Sequence, residues 1–435
     1  MSILTIALIS TILVGFILMT LRILKQEVAM PLVALIAIIL AGPIDGGNAL
    51  HAGFSEFSRI AVLFTAVAVP AHILQRSKLF DWVGMYVGEL IGKMRVKTNI
   101  AIPFLISAFC LAMVYILACL FHNTTSILVS VVIIYVICKS YNLKSLPVMA
   151  GALVASNLGG FSTRWGDTPN IIESATWGLV HKDFFFEIMP VNIIALLILI
   201  IVIGLWLRAA NKNRDKDLLN FKTIYALVKF RNARRDTSLD KRLIFIGFLG
   251  LFIAIIGPLF FLQFELLFSA LAIIVCVIGD YSDHRSETLL ALGIEVYATL
   301  ASIFVLAQVL THSSIGIGNF LQQWLMHSGN NIFAITSISY LGTLLTEAAS
   351  WASAAAPIVH AHNATHLGAW ALGSGIFAGS SSLVTAASAG IILTQETKNF
   401  TEGHKINFGS YVVFGLSFSI LMLIFYTIVL SIFKV

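Results

Sequence analysis

Charge is what this sequence lacks. Of its 435 residues only 11% are Asp, Glu, Lys or Arg, against 58% hydrophobic, and the mean hydropathy is +0.94. Soluble domains carry roughly 25% charged residues, so a soluble domain is excluded. Cysteine is also scarce. Cys110, Cys119, Cys138 and Cys276 all lie inside apolar runs with no CxxC spacing, which excludes a disulfide framework and a thiolate metal centre. The chain holds no GxxxxGK[ST], no HExxH and no catalytic-triad spacing, so neither an ATP-driven pump nor a hydrolytic enzyme is supported. The net charge is +6, but the basic residues sit where membrane topology places them, and this is no nucleic-acid signature.

What is present is a succession of apolar runs of about 20 residues, each long enough to cross a bilayer core of ~30 Å. The chain therefore reads as an all-α polytopic membrane protein. Its first run, Ile3 to Leu21, has no basic leader and no small-residue cleavage site, and reads as a retained span. The one long hydrophilic segment, 210–241, is dense in Lys and Arg and is expected to be a cytoplasmic linker whose middle, Leu218 to Phe230, lies along the membrane surface.

Charge bias orients the remainder. Spans are expected near 3–21, 29–45, 58–74, 146–180 (broken) and 184–209, then 242–258, 260–280, 286–311, 367–397 (broken) and 408–433. The apolar stretches 98–138 and 331–360 each have a polar middle and fit re-entrant hairpins, preceded by amphipathic arms at 79–92 and 315–326. With the linker inside, only Arg59, Lys182 and Lys434 of the 27 basic residues fall outside, apart from Arg164 at membrane depth. Counting the hairpins as full spans scatters the bias. The expected units are a first repeat at 1–209 and a second at 242–435, inverted relative to each other, each with a hairpin and a broken helix. This is an alternating-access architecture.

Two polar, helix-breaking runs mark those broken helices: Leu158 to Ile172 and Ala378 to Ile392. At an offset of 220 residues Gly159 falls on Gly379, Ser162 on Ser382 and Ile171-Ile172 on Ile391-Ile392. Paired broken segments point to a transporter's binding site. The first hairpin turns at Phe121-His122-Asn123-Thr124-Thr125-Ser126 and the second near Leu345 to Ser353. Carbonyl helix ends with Asn and Thr oxygens suit a hard cation, and amide ends suit an anion. The candidate site therefore comprises Asn123, Thr124, Thr125, Ser162, Thr163, Arg164, Asp167 and Asn170 in the first half. In the second half it comprises Glu347, Ser350, Ser381, Ser382, Thr385 and Ser388. Na⁺ is expected at Asn123, Thr124 and Asp167.

Asp167 and His122 are the candidates for proton coupling. The bland alternative for Asp167 is a structural ion pair with Arg164, and an unpaired Arg164 would attract an anion. Glu347 can compensate for Ala387, which stands where the first copy has Asp167, or simply cap a helix. The serines equally serve close helix packing. His360, His362 and His366, with His312 and His327 on the same side, lie at a hairpin exit with no Cys or carboxylate expected nearby, and read as a solvated loop rather than a metal site.

The run Ser156-Asn157-Leu158-Gly159-Gly160 through Asp167-Thr168-Pro169-Asn170 resembles the signature of the ion transporter superfamily. That group includes arsenite permeases, Na⁺/H⁺ antiporters and divalent anion:sodium symporters. His122-Asn123-Thr124 is similar to its Ser-Asn-Thr hairpin tip, and Leu345-Thr346-Glu347 to the residues before its second tip, where Ser350-Trp351-Ala352 departs from the pattern. The resemblance implies secondary transport without an organic cofactor, Na⁺ or H⁺ as coupling ion, sites at hairpin tips and broken helices, and a homodimer in the cell (inner) membrane. Three functions follow as expectations: cation-coupled transport of a small inorganic or carboxylate anion, Na⁺/H⁺ antiport through Asp167, or a non-transporting receptor or scaffold on a transporter fold.

Overall fold

A computed structural model describes residues 3–433 except 21–22, 25, 99, 122, 165, 212–215, 261–263, 281–293, 313, 315–317, 330, 399 and 402. Among the described residues all regular structure is helical, as bilayer hydrogen bonding demands of a spanning chain that is not a closed barrel. Helices α1 (Ile3–Thr20), α2 (Gln26–Arg76) and α3 (Leu79–Thr98) lead into a first hairpin, α4 (Ile102–Phe121) and α5 (Asn123–Ser140). The broken pair α6 (Leu146–Phe161) and α7 (Thr168–Trp177) follows. Then α8 (His181–Asp183) passes through a π turn, Phe184–Ile188, into α9 (Met189–Ala210). After α10 (Lys216–Asp236) come α11 (Lys241–Phe260), α12 (Glu265–Gly279), α13 (Ile294–His312) and α14 (Gly318–Ser328). A second hairpin, α15 (Ile332–Leu345) and α16 (Ala348–His362), precedes the second broken pair, α17 (His366–Ser380) and α18 (Ser388–Glu396), and the last helix α19 (Phe408–Phe433).

Five of these segments are long and apolar enough to cross a membrane: Val28–Ser55, Ile102–Leu120, Asn123–Ser140, His181–Ala210 and Phe408–Ile432. The expectation of separate spans at 29–45 and 58–74 is corrected. Helix α2 runs unbroken through 46–57 and turns instead at Gly42, whose φ of 83° is open to glycine at little cost. Pro43 follows it and reinforces the kink. A straight helix of 51 residues would measure about 75 Å, more than twice a bilayer core, so the kink is what lets this segment fit.

Two groups of helices result. Helix α2 packs against α11, α12 and α13, with α1 at its side. Arg76 at the end of α2 pairs with the fully buried Asp280 after α12, Nη1 to Oδ2 at 2.5 Å. The other group holds both hairpins and both broken helices. Within each half the first segment of the broken helix lies on its own hairpin, α6 on α4 and α17 on α15. The second segment crosses over: α7 packs on α16 and α18 on α5. This exchange interlocks the two halves of the chain.

The linker helix α10 is longer than expected and docks on α3. Its buried Ala226 and Phe230 face that arm, and Phe230 fills the space left by Gly88. The Arg234 guanidinium meets Glu89 Oε2 through Nη2 at 3.0 Å and Nε at 3.2 Å, while Lys93 holds Oε1 at 2.7 Å. It also lies over the stacked rings of Trp82 and Tyr86. The face of α10 that contacts α3 is therefore packed on protein rather than free for the membrane surface.

Candidate functional site

The first break is built from local backbone chemistry. Helix α6 runs out at Gly159-Gly160-Phe161, and its last carbonyls are taken by tightened turns, from Ser162 N to Gly159 O at 3.1 Å and from Thr163 N to Gly160 O at 3.4 Å. Asp167 then adopts an extended conformation and caps α7, its Oδ1 accepting from Thr168 N at 2.9 Å, with Pro169 in the first turn where no amide proton is needed. Asn170 braces the loop from inside: its amide donates to Gly160 O at 2.8 Å and to Thr163 O at 2.7 Å. Both donors of Asn170 are thereby committed to the turn, so its role here is to shape the site.

The tip of the first hairpin enters this break. Asn123 N donates to Gly166 O at 3.0 Å. Its side-chain amide donates to Asp167 Oδ2 at 2.9 Å and reaches Asn157 Oδ1 at 3.5 Å. Asn157 in turn donates to Ser381 Oγ at 3.2 Å, and Tyr411 Oη donates to the Ser381 carbonyl at 2.6 Å. One polar chain thus runs from Asp167 through the first hairpin tip and the first break into the second break. Thr163 Oγ1 donates to Cys119 O at 3.2 Å and fastens the hairpin's other arm. Thr124 and Thr125 are buried beside Asn123. The carbonyl oxygen Asn123 Oδ1 and the hydroxyl Thr125 Oγ1 are enclosed without a hydrogen-bond partner. Buried polar oxygens are rarely left unpaired, and at a hairpin tip joined to Asp167 through Asn123 such oxygens are of the kind hard cations take.

Arg164 is half-buried, and no ion pair joins it to Asp167 among the described residues. Its charge acts instead on His181. The salt-bridge reading of the motif is therefore corrected: the Asp167 oxygens go to Thr168 N and Asn123 Nδ2 instead. His122 lies outside the described residues.

The second break repeats the backbone but not the charge. Ala387 has the extended geometry of Asp167 and caps nothing. Ser382 Oγ lies within hydrogen-bond reach of Ala378 O at 3.0 Å and of Ser419 Oγ at 2.8 Å, as Ser162 Oγ donates to Leu158 O at 2.7 Å. Thr385 is buried, and Ser388 opens α18 half-exposed. Glu347 caps α16, its Oε2 accepting from Ala349 N at 2.9 Å and Ser350 N at 3.1 Å. Ser350 Oγ and Trp351 Nε1 are buried without partners. Trp351 is fully enclosed and packs into the face of Gly342, so the altered second tip is filled by its own indole.

Comparison with known proteins decides the class. A family model described as citrate transporter (CitMHS) matches residues 3–375. The chain belongs to the citrate transporter family. It is a multi-pass membrane transporter. Relatives are distant. A magnetosome protein MamN of Magnetospirillum gryphiswaldense is 25% identical over 377 residues, 83% of this chain and 81% of its own length. A 46 kDa membrane protein of Mycobacterium leprae is 20% identical over 381 residues, 83% of each chain. An uncharacterised transporter of Mycobacterium tuberculosis is 26% identical over 166 residues, 37% of this chain and 36% of its own.

In this family member several supporting residues escape sequence reading. Ser162 Oγ also receives Asn192 Nδ2 at 2.8 Å and lies 2.8 Å from Tyr115 Oη. Tyr426 Oη donates to Asn192 Oδ1 at 2.5 Å across 234 positions of sequence. Asn157 was visible only as part of the motif frame, and Glu173 in α7 gave no signal at all.

The histidine reading is corrected in part. His362 Nδ1 sits 3.0 Å from Ile358 O and His360 lies edge-on to Trp177. His366 does have carboxylate neighbours, supplied by the other half: Nδ1 lies 3.1 Å from Glu187, which also accepts from Trp370 Nε1 at 2.7 Å, and Asp183 is close by. Asp183 Oδ2 already accepts from Val180 N at 2.8 Å, so the cluster is explained by its own bonds.

Proposed function

We propose that this transporter is a secondary active carrier that moves a small anion, inorganic or carboxylate, by alternating access coupled to Na⁺ or H⁺. The observation that carries the reading is the convergence of the first hairpin tip and the two breaks, with Asn123 bonded to Asp167 and the tip oxygens Asn123 Oδ1 and Thr125 Oγ1 enclosed without partners. The oxygens of Asn123, Thr124 and Asp167 would hold the cation, the amide ends of α5 and α7 would face the anion, and Arg164 would add attraction from the rim. The hairpins are re-entrant in this reading: the first tip meets the chain at the break between α6 and α7, while both hairpin ends return to α3, through Arg95 Nη1 to Ile100 O at 3.0 Å and Tyr141 Oη to Gly88 O at 2.7 Å. Residues 1–209 and 242–435 are then inverted repeats around a cytoplasmic linker, in a homodimer of the inner membrane.

The test is uptake of labelled citrate by proteoliposomes under an imposed Na⁺ or pH gradient. Gradient-dependent accumulation is expected. No accumulation of citrate, or of arsenite and phosphate tried in its place, would sink the proposal. A second reading, Na⁺/H⁺ antiport, is favoured by the absence of an Arg164 partner for Asp167. Na⁺-driven recovery of a quenched pH dye in liposomes lacking any anion substrate would select it.

A further inference from the structure

Glu173 stands in the middle of α7, between the first break and the second half. It is fully enclosed, and neither carboxylate oxygen has a hydrogen-bond partner. The neighbouring Ser174 hydroxyl is enclosed and unpartnered as well. The space for the carboxyl group exists because α17 presents Gly373. A Cβ there would lie 2.8 Å from Oε2, 3.1 Å from Oε1 and 2.6 Å from the Phe161 ring. Among the described residues no counter-charge is paired with it. The charged group acting on Glu173 is Asp167, of the same sign. From α17 the one titratable residue is His366, held by Glu187. From α16 they are His360, on Trp177, and His362, at Ile358 O, with Glu347 capping the helix start. Residues 146–161 of α6 contain no titratable group.

An ionised carboxylate without partners in such a place is far costlier than a neutral acid. We propose that Glu173 binds the coupling proton, keeping it while α7 is closed on α17 and releasing it to water when that contact opens. Protonation forms one O–H bond on the carboxylate with a proton from solvent, and release returns it; no other bond changes. Ionisation would then be possible only in a state that hydrates the α7–α17 interface. The proton is thereby tied to the conformational step, and through Asp167 to the cation site, since emptying a positive ion from Asp167 leaves two like charges near each other. The idea rests on the transport reading for its coupling, but not for the state of Glu173.

Two measurements test it. Infrared spectra of the purified wild-type protein at pH 7 should show the carbonyl stretch of a protonated carboxyl group that is lost in Glu173→Gln and kept in Asp167→Asn. In proteoliposomes, Glu173→Gln should lose at least tenfold of the citrate accumulation driven by a pH gradient while still exchanging citrate for citrate at equal pH, and Glu173→Asp should retain gradient-driven accumulation. Should Glu173→Gln not fold, titration of the same wild-type band decides: persistence at pH 7 with no matching change in Asp167→Asn supports the proposal. It is overturned if wild type shows no such band at pH 7, if the band survives in Glu173→Gln, or if that variant still accumulates citrate down a pH gradient. If wild type moves no citrate at all, the transport reading fails and the infrared result alone decides the protonation of Glu173.

Discussion

Replacing Asp167 with Asn separates the structural from the electrical role of the first break. The carboxylate serves two donors at once, Thr168 N through Oδ1 and Asn123 Nδ2 through Oδ2, each at 2.9 Å. An amide has one acceptor, so its NH₂ must face one of those donors. Asn ranks with Asp as an N-cap, so the bond to Thr168 is the one that survives, and the link to the hairpin tip is lost. A hydrogen bond to a charged group contributes about 1.5–3 kcal/mol, which corresponds to roughly a 10- to 150-fold shift in the population of the assembled tip. The variant also removes the negative charge from the proposed cation cluster. Asp167→Ala loses the cap as well and should be less stable by about a further 1 kcal/mol. Thermal unfolding of the purified variants would rank wild type above Asn and Asn above Ala. Citrate uptake in liposomes should lose its dependence on the cation gradient in both variants. If Asp167→Asn keeps wild-type gradient dependence, Asp167 is only a cap, and the cation site lies elsewhere.

Two further outcomes follow from packing and from the linker. Gly159→Ala would drive a Cβ onto the Tyr115 carbonyl oxygen and to 2.7 Å from Ala118 Cβ, and Gly379→Ala would lie 2.6 Å from Thr343 Cβ and 2.8 Å from Tyr340 O. Overpacking of this kind costs about 1–3 kcal/mol, so both variants should unfold at lower temperature, and an unchanged midpoint would refute the close hairpin contact. At the arm, the Lys93 ammonium hydrogen-bonded to Glu89, helped by Arg234, holds that carboxyl below its ordinary value of 4.5. A lowered value means the stabilisation is present above about pH 4.5 and disappears as the pH falls through the folded-state value. Because Lys93 is 61% exposed, the effect is screened. Glu89→Gln should therefore cost only about 1–2 kcal/mol at pH 7 and should flatten the acid limb of stability. An acid limb identical to wild type would show that the cluster does not hold α10 in place.

The breaks were legible because the membrane makes polarity conspicuous. Ser162 to Asn170 stands out inside apolar sequence, and the acid followed by Thr168-Pro169 is a helix start wherever it occurs. The helical hairpins were legible from their polar middles, and Asn123 stands at the turn between α4 and α5. Glu173 was not legible, since one acid in a ten-residue amphipathic helix looks like an exposed face; only the position of Gly373, 200 residues away, reveals that the face is closed. Asn192 and Tyr426 lie in long, largely apolar helices, and nothing short of three dimensions pairs them. The run from Gln26 to Arg76 misled for the opposite reason: the residues at 46–57 separate two expected spans, yet the chain breaks at Gly42, inside the first of them, and then stays helical to Arg76.

The two halves share a plan but place their acids differently. In the first, the carboxylate sits at the break, on Asp167, and the hairpin tip carries the neutral Asn123. In the second, it sits at the hairpin tip, on Glu347, and the break carries Ala387, although Ala387 keeps nearly the same backbone angles as Asp167, φ −141° and ψ 142° against −150° and 153°. The positions are equivalent as helix starts, so either can be served by an acid. What differs is what remains for a ligand. One oxygen of Glu347 is occupied by two backbone amides of its own helix, which spreads its charge into the α16 dipole. Asp167 gives one oxygen to its helix and turns the other toward the opposing tip, where Asn123 Oδ1 and Thr125 Oγ1 lack partners. Trp351 fills the space at the second tip, while the first remains lined by small polar groups. Cation dependence should therefore be concentrated in the first half, with the second half contributing Ser381 and its neighbours as neutral hydrogen-bonding groups reached through Asn157.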